Sequence, residues 1–131
     1  MKNRRARQAV IIVGVAISCA VGAKALQSPE RRVIHVAAER FTFAPSQLTV
    51  TTGEEIELRL TSEDTAHGFH IADTDVNVVI PKRGGEELVV TFTAPAPGRY
   101  TFECSRMCGA GHDFMRGVLV VRPRADQAVT R

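Results

Sequence analysis

Arg99–Val121 reads RYTFECSRMCGAGHDFMRGVLVV. An alternating run, Arg99-Tyr100-Thr101-Phe102-Glu103, and an apolar run, Gly117-Val118-Leu119-Val120-Val121, flank a glycine-bearing turn, so the stretch reads as strand, loop, strand. The loop packs two thiols, an imidazole and a thioether into twelve residues, Cys104 to Met115, as C-x3-C-x3-H-x2-M. Thiolate and thioether are soft ligands, and with imidazole they suit copper better than magnesium or calcium. A single blue-type copper takes one Cys, two His and a weak axial Met. This loop holds one Cys more than that. Two thiolates are able to bridge two metal ions, so the loop reads as a dinuclear copper site.

Outward from the loop, the pattern stays extended. Gln47-Leu48-Thr49-Val50-Thr51, Glu55-Ile56-Glu57-Leu58-Arg59-Leu60 and Glu87–Thr93 alternate apolar with polar, as half-buried strands do. Val33-Ile34-His35-Val36, Phe41–Ala44 and Val76–Ile80 are further short runs. Thr52-Gly53-Glu54, Pro81–Gly85 and Pro95-Ala96-Pro97-Gly98 punctuate them as turns. About seven short strands with turns between them predict an all-β, antiparallel sandwich with Greek-key connections.

A copper site in the loop needs a second imidazole, and Asp64-Thr65-Ala66-His67-Gly68-Phe69-His70 supplies it about forty residues upstream. The two motifs, with the strand pattern between them, resemble the CuA domain of subunit II of haem–copper cytochrome oxidases, closest to the short ba3-like form. The resemblance runs from roughly Phe41 to Val121. It implies the cupredoxin version of the sandwich and a role for each residue. Cys104 and Cys108 bridge both coppers; His67 and Met115 complete one; His112 and the backbone carbonyl of Arg106 complete the other. The family usually carries Glu at that carbonyl position, where its side chain helps build a magnesium site. Arg106 cannot bind a divalent cation, so no such site is expected. Two other readings of the cysteines stay open: a disulfide in an oxidising compartment, and a Cys2His2 zinc site, although zinc has no use for Met115. His70 follows His67 by three residues, which on an extended segment points it to the opposite face. Its expected place is the surface or the surroundings of the site. His35 reads as structural, and Met107 as a packing residue.

The formal charge of +3 sits in the ends of the chain. Residues 33–122 hold eight Lys/Arg against twelve Asp/Glu, a net of −4, with no basic stripe to follow a phosphate backbone. Nucleic acid is therefore excluded as a partner, and an acidic domain suits a basic protein. Before the domain, Met1–Arg7 is basic and Gln8–Ala23 is uncharged and mostly apolar. As a helix it spans about 24 Å, short against a hydrocarbon core of about 30 Å. Residues 1–25 read as a signal-anchor with the basic end in the cytoplasm, or as a signal peptide cut at Ala23-Lys24-Ala25. Lipid attachment at Cys19 is a weaker third reading, because Ala16-Ile17-Ser18 departs from the usual lipobox. Residues 26–32 read as a linker, 33–122 as the cupredoxin CuA domain, and 123–131 as a flexible tail.

The resemblance implies an electron-entry subunit of a terminal oxidase in the cytoplasmic membrane of a prokaryote, with the domain on the outer side. The donor would be a cytochrome c or a small copper protein, and the acceptor a haem-containing oxidase subunit I. The chain holds no acid, base or nucleophile arranged for catalysis of its own, so activity belongs to the complex. Many subunits II carry Trp at the electron-entry point, and this chain has none. Two alternatives remain: a free-standing periplasmic electron carrier, similar to the corresponding domain of nitrous oxide reductase, and a copper-delivery protein for oxidase assembly. Copper-delivery proteins with C-x3-C have a thioredoxin-like fold, and the helical segments for it are missing.

Overall fold

The structure, a computed structural model, describes residues 30–126. The hydrophobic helix expected at Gln8–Ala23 lies outside them, as do residues 127–131 of the tail. Among the described residues no helix is long and apolar enough to cross a membrane. The described residues form nine strands: β1 (Arg32–Glu39), β2 (Thr42–Ala44), β3 (Gln47–Thr51), β4 (Glu55–Ser62), β5 (His67–Ile71), β6 (Asn77–Ile80), β7 (Leu88–Thr93), β8 (Gly98–Glu103) and β9 (Arg116–Arg122). A single 3-10 turn, His112–Phe114, interrupts the loop between β8 and β9. One sheet runs β2-β1-β4-β7 and the other β3-β9-β8-β5-β6.

Alternation translates directly into layers. On β4, Ile56, Leu58 and Leu60 are fully buried while Glu57 and Arg59 are not. Within the second sheet, the buried Leu48 and Val50 of β3 lie in register with the buried Leu119 and Val121 of β9. Phe43 of the first sheet meets Phe69 and Phe102 of the second edge-on, with ring centroids 5.4 and 5.5 Å away. Edge-to-face rings of this kind are worth about 0.5–1.5 kcal/mol beyond their burial.

The expected all-antiparallel arrangement does not form. β1 pairs with β4 in parallel, and β3 with β9 in parallel; the remaining pairs are antiparallel. Period-two alternation specifies which face is buried, not which way a neighbour runs. Strand direction is settled by how the chain crosses between the two sheets.

Candidate metal centre

Topology brings the two motifs to one end of the molecule. β8 ends at Glu103, β9 begins at Arg116, and these residues are register partners. β5 pairs antiparallel with β8, His70 opposite Glu103, so it starts at the same end. Along β5, His67, Phe69 and Ile71 share the core-facing side. Inward burial thus sends His67 into the interior beneath the loop, where it is 0% exposed. Gly68 lets the loop lie against β5: a Cβ there would be 2.6 Å from the backbone nitrogens of Ser105 and Arg106. The loop is also tied to itself, with Cys104 N–H donating to the Met115 carbonyl at 3.0 Å and Met115 N–H to that of His112 at 3.1 Å.

Every sequence-predicted ligand atom converges on this pocket. The Cys104 and Cys108 sulfurs are 3.8 Å apart. Both thiols are free, at a separation far beyond the disulfide length of about 2.05 Å. His67 Nδ1 is 3.9 Å from the Cys104 sulfur, and His112 Nδ1 is 3.9 Å from the Cys108 sulfur. Met115 Sδ, wholly buried, lies 3.9 Å from the Cys108 sulfur. The Arg106 carbonyl oxygen is 3.0 Å from the Cys104 sulfur. The ligand atoms of His67, Cys104 and Cys108 lie within 4.8 Å of one another. A buried soft set of this kind, two thiolates with imidazole and thioether, fits copper.

Several residues that shape the site carried no recognised signal in the sequence. Asp64 Oδ1 accepts from His67 Nε2 at 2.6 Å. A carboxylate only accepts, so Nε2 is the donor, and in the neutral ring that leaves the Nδ1 lone pair on the side of the sulfurs. Burial raises the Asp64 carboxyl, but the His67 hydrogen bond and the N–H groups of Arg40 and Thr65 outweigh it and hold it at about 2. Burial, with the adjacent Cys104 thiol, pushes the Cys108 thiol up to about 11. Metal uptake must therefore displace a proton there. Arg40 reaches the loop from the β1–β2 turn, its Nε donating to the Cys108 carbonyl at 2.8 Å.

The remaining candidates lie elsewhere. His70 is on the opposite face of β5, its Nδ1 3.9 Å from Glu103 Oε1. His35 is exposed on β1, 3.8 Å from Glu87. Met107 does not pack: it is 74% exposed, and Phe114, also on the loop, is 81% exposed.

Comparison with known proteins agrees with this geometry. The model of the cupredoxin-like domain matches residues 9–121. Two Thermus thermophilus proteins named cytochrome c oxidase subunit 2 are each 39% identical over 95 residues, covering 72% of this chain and 68% and 55% of their own lengths. A haem–copper terminal oxidase dimer solved by cryo-EM superposes with a TM-score of 0.65 at 28% identity, over 72% of this chain and 65% of that one. The periplasmic domain of subunit II of cytochrome oxidase from Bradyrhizobium japonicum shares the fold, with a TM-score of 0.63 at 17% identity, over 73% of this chain and 87% of that one. A two-sheet sandwich that gathers thiols, imidazoles and a thioether at one end, in a sequence so close to these oxidase proteins, belongs to the cupredoxin-like family as a member of the cytochrome c oxidase subunit II group.

Proposed function

We propose that this domain takes electrons from a cytochrome c or a small copper protein through a dinuclear CuA centre and passes them to haem in a membrane-bound partner subunit. The observation that carries the reading is a pair of free thiols 3.8 Å apart, each sulfur flanked by a different imidazole. Cys104 and Cys108 would hold the ions between them, supplying soft thiolate ligands that suit copper. His67 and Met115 would complete one ion, and His112 with the Arg106 carbonyl the other. When bound, such a centre supplies a one-electron couple whose charge change is spread over two ions.

The chain's own contribution is rigidity and access. His67 is locked by Asp64 beneath the loop, and Met115 is packed in the core. Ligands held this way move little when an electron arrives, which keeps the reorganisation cost low. Met107 and Phe114, both exposed on the ligand loop, are apolar side chains that a donor would meet there in place of Trp. A donor settling there comes close to the thiolates. The basic Met1–Arg7 end would stay in the cytoplasm and the domain outside, where a soluble donor is available.

Copper loading tests the reading. The domain should bind two ions, turn purple, and give an electron resonance signal of one unpaired electron shared by two equivalent copper nuclei. A blue protein with one copper, or a colourless form that takes only zinc, overturns the dinuclear assignment. Copurification from membranes with a haem-containing subunit is the companion result expected.

A further inference from the structure

We infer that Arg40 and Phe41, in the turn between β1 and β2, clamp the ligand loop onto the His67 segment, with Arg40 a positioning residue for the centre. The inference rests on the copper reading above. Arg40 Nε donates to the carbonyl oxygen of Cys108 at 2.8 Å. The main-chain N–H of the same residue donates to Asp64 Oδ2 at 3.1 Å, and Asp64 Oδ1 accepts from His67 Nε2 at 2.6 Å. One residue therefore holds the backbone of one ligand and, through a single carboxylate, the ring of another. Phe41 adds a steric contact. Its ring occupies the space beside Gly109 and Gly111, where a Cβ would meet ring atoms at 3.0 Å or closer. At Gly109 the backbone also has a φ of +144°, which disfavours any side chain.

The clamp has two physical effects, and they separate. A guanidinium–carbonyl hydrogen bond is charge-assisted and directional. It holds the loop in its metal-binding shape before metal arrives, so binding does not have to supply that ordering. The positive charge beside Cys108 also favours the electron-richer state of the centre, and so raises its potential. Lysine in place of Arg40 would keep the charge without the rigid donor fork. Glutamine would remove the charge as well.

The test uses the full chain loaded with copper, and reads copper release to a chelator and the midpoint potential. Arg40→Gln is expected to release copper faster, with copper affinity lower by about ten- to a hundredfold, the range for loss of a hydrogen-bonding partner around metal ligands, and to titrate at lower potential. Arg40→Lys should release copper faster while keeping a potential close to that of the parent. Phe41→Ala keeps the hydrogen bonds of Arg40, and it too should speed release without moving the potential. It carries the test if the Arg40 variants fail to fold. Arg59→Gln, whose ion pairs are with Glu57 and Glu87, is the control and should leave both readouts unchanged. Parent-like release and potential in Arg40→Gln, Arg40→Lys and Phe41→Ala would overturn the clamp with the copper reading intact. A parent chain that takes up no copper overturns both.

Discussion

His67 and His70 are three residues apart on one strand and have unlike surroundings. His67 shares the inward face with Phe69 and Ile71 and is fully buried, whereas His70 looks out toward Glu103. A single step in strand parity separates a candidate metal ligand from a surface imidazole. Met115 is the other side chain whose role turns on its immediate surroundings. Its thioether lies 3.9 Å from the Cys108 sulfur inside the core, so it packs there and is placed as a candidate ligand. Met115→Leu is nearly volume-conserving, and such changes usually cost less than about 1.5 kcal/mol in stability. On the proposed copper reading the variant should keep its copper and shift the reduction potential, because a thioether is a weak ligand that tunes rather than holds. Copper analysis with voltammetry checks this, and loss of an ion would make Met115 a holding ligand instead.

At the scale of elements, the site is a place where β5 and the β8–β9 loop touch without an intervening side chain. Gly68 makes that contact possible, since a methyl there would collide with the backbone of Ser105 and Arg106. Backbone cannot swing aside as a flexible side chain can, so Gly68→Ala must displace the loop or bend β5. Overpacking of this kind costs about 1–3 kcal/mol, and here the strain falls on the ligand geometry. The expected outcome is a fall in the urea midpoint of the metal-free protein and a copper spectrum that is weakened or lost. A variant that matched the parent in both would mean that the loop has slack to spare. The 3-10 turn His112–Phe114 works at the same scale. Its hydrogen bonds, His112 N–H to Gly109 and Phe114 N–H to Gly111, turn His112 back toward the sulfurs while leaving Phe114 outside.

At the scale of the whole molecule, charge and apolar segments are partitioned along the chain. Residues 33–122 carry a net −4 and the flanking ends are basic. On the signal-anchor reading of the sequence, Gln8–Ala23 is short for a span, and its small residues Gly14, Ala16, Gly22 and Ala23 would suit close packing against partner helices, which would relieve mismatch. Intact-mass measurement and N-terminal sequencing of protein from washed membranes should find Met1–Arg7 retained. A mature chain that starts near Leu26 and is released by gentle lysis would overturn the anchor and favour a free carrier.

The sequence by itself determined the all-β class, because alternation in stretches such as Glu55–Leu60 has a period that only a strand can bury on one face. It also singled out the Cys104–Met115 loop and the His67 segment as the source of candidate ligands, because ligand chemistry is written in residue type and short spacing. Tertiary structure alone decided the parallel pairing of β1 with β4 and of β3 with β9, since side-chain alternation carries no information on strand direction. It alone decided that Met107 faces solvent while Met115 is buried, because the turns of an irregular loop follow no period. Asp64 and Gly68 stood inside or beside the quoted motif, yet their roles depend on what β5 packs against. Arg40 and Phe41 left no trace of their role. The contact that joins Arg40 to Cys108 spans 68 residues and exists only once two sheets have closed over one core.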